Sequence, residues 1–121
     1  MREVQSGSAT VELALLVPLI LLLLAFLVEV AVVARVQIEM TGAAREGARV
    51  AATAPDPARA VRAAREALGG RASDARVSVH RPHVVGQPAE VKIALAHRVR
   101  LPLLGGFTVP LSARAVMRVE R

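Results

Sequence analysis

The chain has 121 residues, no cysteine and a formal net charge of +6. This length allows one small domain, and the lack of cysteine excludes disulfides and thiolate metal sites. From residue 35 onward there are 15 basic and 7 acidic residues, which gives a net charge of +8. That charge favours anionic lipid headgroups or acidic partners. Nucleic acid is not a predicted partner, because two phenylalanines are the only aromatic residues and offer no stacking platform.

Residues 13–34 form an apolar run between Glu12 and Arg35, and Glu29 is the one charge within it. As a helix these 22 residues would span about 33 Å, enough to cross the hydrocarbon core of a bilayer. Pro18 removes one helix donor and is expected to kink the helix. The sequence therefore predicts one transmembrane helix, with Glu29 as an intramembrane charge.

Two other interpretations of the apolar run remain open. The first is a secretory signal peptide cleaved after Val32-Val33-Ala34, although the apolar stretch of such a peptide usually has about 7–15 residues. Here 16 apolar residues precede Glu29 and the apolar pattern resumes after it. The second is a plain, uncleaved membrane anchor with no further role.

A short polar leader precedes the apolar run. It ends at Gly7, and Glu12 follows five positions later at the edge of the run. A carboxylate at the rim of an apolar helix is costly unless it meets a cation, and the dipole of the first helical turn favours negative charge there. Glu12 is therefore either one half of an ion pair or an ordinary first-turn carboxylate that faces headgroups.

The helix is predicted to continue through residue 52, because residues 35–52 contain no proline. Small residues recur in this segment at four-residue spacing. They form two seams: Ala43, Gly47 and Ala51 in one, and Ala44, Ala48 and Ala52 in the other. Such seams let helices approach closely, so we assign Ala43, Gly47 and Ala51 to helix packing. An alanine-rich composition also produces this spacing by accident.

Residues 53–121 predict a small α+β domain that begins with a short helix. Asp56 and Pro57 are typical of a helix start, and Gly69-Gly70 of its end. Within this helix Val61, Ala64 and Leu68 share one face. The arginines at positions 59, 62 and 65 share another face, which is either solvated or binds headgroups or a partner.

Beyond Arg71 apolar and polar residues alternate around residues 77–79, 91–95 and 113–119. This period of two predicts three half-buried strands. Loops rich in glycine and proline are expected between them, over residues 82–88 and 102–110. A short helix packed on a small antiparallel sheet is the simplest arrangement of these elements.

Catalytic and metal-binding patterns are weak in this chain. His80 and His83 lie close in sequence, and Glu90 and His97 follow, but their spacing implies no ligand geometry. A nucleophile elbow, a phosphate-binding glycine loop and paired catalytic carboxylates are missing from the sequence. We therefore predict neither an enzyme nor a cofactor or metal site.

The leader, Gly7, and Glu12 before an apolar run resemble the N-terminus of a type IV prepilin. In that family a membrane peptidase cuts after the glycine on the cytoplasmic side, and the glutamate pairs with the new amino terminus of a neighbouring subunit. The resemblance implies cleavage between Gly7 and Ser8, and a subunit-pairing role for Glu12. It divides the chain into a leader (1–7), a transmembrane and extended helix (8–52) and an extracytoplasmic domain (53–121).

A more specific resemblance is to the TadE-like family of the tight-adherence secretion system. It rests on Gly-Ser-Ala-Thr-Val-Glu12, the leucine-rich span with Pro18 and Glu29, and Ala-Ala-Arg45-Glu-Gly-Ala-Arg49. It extends over residues 7–52 and more loosely over 107–120. It implies a minor pilin or pseudopilin whose partners are other pilin subunits, the prepilin peptidase, the membrane platform of the pilus machine and the lipid bilayer. The aromatic residues common at the membrane exit in that family are missing here.

The orientation in the membrane is subject to two opposing arguments. The pilin resemblance implies a cytoplasmic N-terminus and an external domain, in the bacterial cytoplasmic membrane or in a surface pilus. The positive-inside rule favours the reverse, because Arg35, Arg45 and Arg49 outweigh Arg2. We predict the pilin orientation, since the peptidase acts from the cytoplasm. The alternative function is an unprocessed, single-pass anchored binding or adaptor module.

Overall fold

A computed structural model describes residues 2–120, with side chains from residue 7 onward. The chain begins with a long helix, α1, Arg2–Thr53, followed by α2, Pro57–Leu68, and a 3-10 helix, Gly69–Asp74. Three strands complete the fold: β1, Ala75–His80; β2, Pro88–Leu101; and β3, Gly105–Arg118. The predicted α+β class, with a long N-terminal helix, a short helix and a three-stranded antiparallel sheet, is confirmed.

The apolar run and its predicted extension form one continuous helix. α1 includes Pro18; a proline has no N–H, so one hydrogen bond of the ladder is lost without ending the helix. The last turn closes where the Ala54 amide donates to the Val50 carbonyl at 2.8 Å. The next residues, 54–56, lie outside the helix, and Pro55 cannot donate to its ladder.

The ends of α2 follow the predicted signals. The Asp56 carboxylate accepts a hydrogen bond from the Ala58 amide at 2.9 Å, which satisfies one of the free N–H groups of the first turn. At the other end Gly69 has a φ of +59°, a conformation that glycine adopts easily. Ala60 is buried with Ala64 and Leu68, whereas Val61 is half-buried. The predicted apolar face is therefore confirmed at Ala64 and Leu68, and Ala60 is more deeply buried than Val61.

The sheet has the strand order β1-β2-β3, with both pairs antiparallel. β2 is the central strand, with Val79↔Val91 among its pairs with β1 and Ile93↔Ala113 among its pairs with β3. The odd-numbered residues of β2 point towards the helices. The core between helices and sheet consists of Val36, Met40, Ala43, Ala44, Ala48, Ala51, Ala60, Ala64, Leu68, Ala75, Ala89, Val91, Ile93, Leu95, Ala113 and Val119.

The predicted loop over residues 102–110 is wrong. The turn occupies residues 102–104, and β3 already begins at Gly105, whose φ of +77° suits the tight turn. Pro110, which the sequence pattern places in the loop, lies within β3, an edge strand that tolerates proline. The β2–β3 hairpin is consequently much longer than predicted. The other connection, residues 81–87, agrees closely with the predicted loop over residues 82–88.

α1 makes a close contact with α2 and β2 at Gly47. A Cβ atom built on Gly47 would lie 3.1 Å from the Ala64 Cβ, 3.2 Å from the Val91 Cγ1 and 3.4 Å from the Ala60 carbonyl oxygen. Both α2 and β2 therefore contact the backbone of α1 at this residue. A larger residue at position 47 would separate α2 and β2 from α1.

We expect Gly47→Val to destabilise the domain by about 1–3 kcal/mol, because overpacking a close-packed site forces shifts of the backbone or side chains. Thermal unfolding of the full chain in detergent micelles, followed by circular dichroism, measures this effect. Gly42→Val is the matched control, since a Cβ atom at Gly42 meets nothing within 4 Å. Equal melting temperatures for the two variants would contradict the assigned contact.

Candidate assembly helix

α1 divides into a covered part and an uncovered part. All described side chains from residue 7 to residue 21 are exposed, whereas the helix from Val36 onward contributes to the core. The uncovered part includes large apolar residues such as Leu15 and Leu19. Residues 7–53 form a helix that is long and apolar enough to span a membrane, with a mean hydropathy of 3.0 over its most apolar 18 residues. The domain therefore leaves the N-terminal segment available to lipid or other helices.

The residues of the predicted cleavage site lie on this uncovered segment. Gly7 and Ser8 are exposed and helical, and a Cβ atom on Gly7 would meet nothing within 4 Å. A glycine inside a helix lowers helix stability by about 1 kcal/mol relative to alanine, so local unwinding is easier here. Substitutions at Gly7 disturb no contact of the folded domain.

Glu12 is exposed on the same segment. Among the side chains of residues 7–120 it has no ion-pair partner. α1 begins at Arg2, so the prediction that Glu12 lies in the first helical turn is wrong, and the dipole of that turn does not stabilise its charge. An unpaired carboxylate at the edge of the apolar run would be costly in lipid. The position is compatible with an ion pair to another chain or with headgroup contact.

Glu29 has a different environment from Glu12, because the β2–β3 hairpin covers it. We call residues 96–110 the arm: this part of the hairpin extends past the last β1–β2 pair, Ala75↔Leu95. Glu29 is half-buried in an apolar groove between α1 and the arm. The groove is lined by Phe26, Glu29, Val30 and Val33 of α1 and by Val99, Phe107 and Val109 of the arm.

The predicted packing residues lie inside the chain's own core. Ala43, Gly47 and Ala51 are all buried, and the close approach at Gly47 is to α2 and β2. The second seam, with Ala44 and Ala48, is buried as well. In this fold both seams join α1 to its own domain.

An ion pair joins the covered part of α1 to the 3-10 helix, just after the apolar run ends. The Glu39 carboxylate accepts hydrogen bonds from Arg71 at 2.7 Å and from Arg35 at 3.1 Å. The Arg71 guanidinium, and secondly that of Arg35, holds the pKa of Glu39 below its ordinary value. The Glu39–Arg71 pair links residues that are 32 positions apart, so it contributes to tertiary structure.

The outer face of the sheet is basic. Lys92 and Arg114 flank Glu90, with N–O distances of 3.0 and 2.8 Å, and mainly Lys92 lowers the pKa of Glu90. Within the three strands, Glu90 is the one acidic residue. Further arginines point outward at positions 76, 98, 100 and 118, so the face keeps a positive charge.

The histidines of the weak metal pattern are separated in the fold. His80 lies opposite Glu90 in the β1–β2 ladder, whereas His97 is paired with Val109 in the arm. Within residues 7–120 no group of three or more histidine and carboxylate side chains is placed to hold a metal ion. The His97 Nε2 atom is buried and has no hydrogen-bond partner among the described residues.

The exposed apolar helix and its small-residue continuation have counterparts in a known family. Residues 7–49 match the family model described as TadE-like protein. Over these residues the helix is similar to the TadE-like family. This match confirms the resemblance to the TadE-like family over the N-terminal helix. The match ends at Arg49, so it leaves out α2 and the sheet. Neither a curated protein nor a solved structure matches the chain significantly.

The arm is the feature that was not predicted from the sequence. Its signal was present, because Val99 and Leu101, and then Phe107 and Val109, continue the alternation of apolar residues. Pro102 and Pro110 favoured the prediction of a loop instead. The sequence shows only that Glu29 lies late in the apolar run. The contact between the arm and α1 places Glu29 in a groove of the folded protein.

The ion pairs of Glu39 predict a pH-dependent effect on stability. A carboxylate with a lowered folded-state pKa stabilises the fold above its unfolded pKa and loses that contribution as pH falls through the folded value. We therefore expect Glu39→Gln to lower the melting temperature at about pH 7, and the difference from wild type to shrink towards about pH 3. Melting curves of both proteins across this range provide the measurement.

Glu66→Gln is the control for this comparison. Glu66 is exposed on α2 and forms no ion pair with the described side chains. Its substitution should leave the melting temperature almost unchanged at both pH values. A Glu39→Gln effect that does not vary with pH would show that the amide disturbs packing, and would contradict the electrostatic explanation.

Proposed function

We propose that the chain is a minor pilin-like, or pseudopilin, structural subunit of a tight-adherence pilus or related secretion machine. The observation that carries this proposal is the TadE-like match, which begins at Gly7 and runs along α1. The uncovered apolar segment of α1 supports it, because a helix without intramolecular partners is suited to packing with lipid and with other helices. The sheet domain is carried on the same helix and projects from the assembly.

Assembly by this helix would follow the physics of packing in lipid. Moving a leucine side chain from lipid acyl chains to another helix gains little free energy. The association of helices in a membrane therefore depends on the fit of their shapes and on polar contacts. The uncovered segment offers two such features, the break in the hydrogen-bond ladder at Pro18 and the carboxylate of Glu12. Other pilin or pseudopilin subunits and the membrane platform of the machine are the proposed partners.

Processing at Gly7 would create the cation that Glu12 lacks. Cleavage by a prepilin peptidase leaves Ser8 with a free amino group, four residues before Glu12. A positive amine of one subunit and the Glu12 carboxylate of its neighbour would neutralise each other at the membrane rim. The same contact would set the axial offset between the two helices.

Leader cleavage is the decisive test of this function. We expect N-terminal sequencing and intact-mass measurement from the native host to show a chain that begins at Ser8. Gly7→Leu should block cleavage and Gly7→Ala should reduce it less. A Cβ atom at position 7 meets nothing within 4 Å, so we attribute a loss of cleavage to the peptidase. A mature chain that begins at Met1 would favour the unprocessed anchored module, and one that begins at Arg35 would indicate a signal peptide.

The pairing role of Glu12 predicts a loss of assembly without a loss of folding. Glu12→Gln should reduce co-purification with pilus components by about tenfold or more, because removing one member of a desolvated ion pair costs on the order of 2–5 kcal/mol. Membrane insertion and cleavage should persist. Glu66→Gln, a change to an exposed carboxylate on α2, is the control. Unchanged co-purification of the Glu12→Gln protein would rule out the pairing.

The proposed orientation places residues 53–121 outside the cytoplasmic membrane. Ser73 is exposed in the 3-10 helix, and the chain has no native cysteine, so Ser73→Cys gives a single reporter thiol. A membrane-impermeant thiol reagent should label it in intact cells, after the outer membrane is permeabilised where the host has one. Protection until the cytoplasmic membrane is lysed would reverse the orientation and exclude the pilin function.

A further inference from the structure

The arm runs alongside the helix that is proposed to cross the membrane. Its base is held where the Gln37 side-chain amide donates to the Ser112 carbonyl at 2.7 Å. Further along, Phe107 of the arm and Phe26 of α1 line the same groove. From Ser112 to Phe107 is about 16 Å of strand, and from Gln37 to Phe26 is about 16 Å of helix. Because the two distances agree, the arm lies nearly parallel to the axis of α1 and points towards the membrane.

This geometry gives the depth of the arm's tip. The turn at Leu104 lies three residues beyond Phe107, or about 10 Å further along the strand direction. That distance corresponds to about six or seven residues of helix, which brings the tip to about the level of Ile20 of α1. Glu29 lies about 13 Å from Ile20 along α1, in the direction of the domain. If Glu29 is in the headgroup layer, which is about 5–7 Å thick, the tip reaches the outer part of the hydrocarbon.

The residues of the tip suit an apolar environment and not water. The turn is Pro102-Leu103-Leu104, and its leucines are 90% and 73% exposed. Leu103 has a φ of +68°, in a region where glycine or asparagine is usual and a leucine is strained. A turn in water would be expected to use those polar or small residues. Two exposed leucines at this point indicate contact with another apolar phase.

Charges on the arm match the level of the lipid headgroups. Arg98 and Arg100 lie on the exposed face of β2, opposite Thr108 and Gly106 of β3. They flank Val99, which lines the groove with Glu29. Arginine side chains can extend towards a membrane surface while their stems remain in the apolar layer, and guanidinium groups bind phosphates well.

We propose that the arm is a second membrane-binding element, whose Leu103–Leu104 tip inserts into the outer leaflet beside α1 while Arg98 and Arg100 bind headgroup phosphates. This inference rests on the proposed anchoring of α1 in the membrane. It moves Glu29 from the membrane interior to the outer interface. The open edges of the arm's strands limit insertion to the tip, because unpaired backbone groups are costly in hydrocarbon.

The test uses single tryptophans, because the chain has none of its own. Full-length Leu104→Trp is reconstituted into vesicles of phosphatidylethanolamine and phosphatidylglycerol, with acyl chains brominated in both leaflets. We expect blue-shifted emission that the brominated lipid quenches. Leu19→Trp, on the uncovered part of α1, reports whether the helix itself is in the bilayer. Val85→Trp, on an exposed loop at the opposite end of the domain, serves as the control in water.

Each outcome decides between the proposals. Quenching of Leu104→Trp and Leu19→Trp, but not of Val85→Trp, supports tip insertion. Quenching of Leu19→Trp alone overturns tip insertion and leaves the anchored helix intact. If neither is quenched, α1 is not in the bilayer and the anchoring fails as well. A blue shift of Leu104→Trp that depends on protein density, without quenching by bromine, would assign the tip to a second copy of the chain and overturn lipid contact.

Discussion

The close contact of α1 with α2 and β2 at Gly47 is the interaction on which the rest of the fold depends. The domain has no disulfide, and its core is built largely of alanine and valine, so it gains stability by bringing backbones together. Side chains of this size fill the interior only when the layers approach closely. Gly47 permits that approach, and the small seams extend it along α1 from Ala43 to Ala52. The long helix is thus a structural part of the domain as well as its anchor.

The packing of α1 in the core of its own domain shows which features the sequence predicts and which it does not. The helix, the cap at Asp56 and the period of the three strands are local signals, and the structure confirms them. The partner of the small seams is not a local property, because the same spacing suits a neighbouring subunit and the chain's own α2 equally well. Only the tertiary arrangement of Ala60 and Ala64 against Gly47 assigns the seam.

The arm shows a different limit. Proline and glycine between residues 102 and 110 are strong local signals for a loop, yet an edge strand accepts both. Pairing with β2 and packing on α1 outweigh these local preferences. Similarly, the position of Glu29 late in the apolar run gives no information about the arm that lies against it. The roles proposed for Gly7 and Glu12 depend on other proteins, and a single chain does not contain those contacts.

Charge is distributed to match this arrangement. Glu39 holds Arg35 and Arg71 on the side of α1, while Glu90 offsets only part of the positive charge on the outer sheet face. The apolar surface is concentrated at the N-terminal segment of α1 and at the tip of the arm. One positive surface lies on the face of the sheet that points away from the helices, and the arginines of α2 at positions 59, 62 and 65 are also exposed. The molecule therefore presents its apolar and its charged surfaces in different directions.

The continuity of α1 has a mechanical consequence. The helix is continuous from Gly7 to Thr53, and the sheet packs on it through the core that begins at Val36. Because the sheet is packed on α1, a rotation of α1 about its own axis turns the domain with it. A helix has about 3.6 residues per turn, so a shift of α1 by one residue in its packing corresponds to a rotation of about 100°. The basic face of the sheet would rotate by the same angle. If α1 packs with other helices, as proposed, its rotation in that packing determines the direction in which the basic face points.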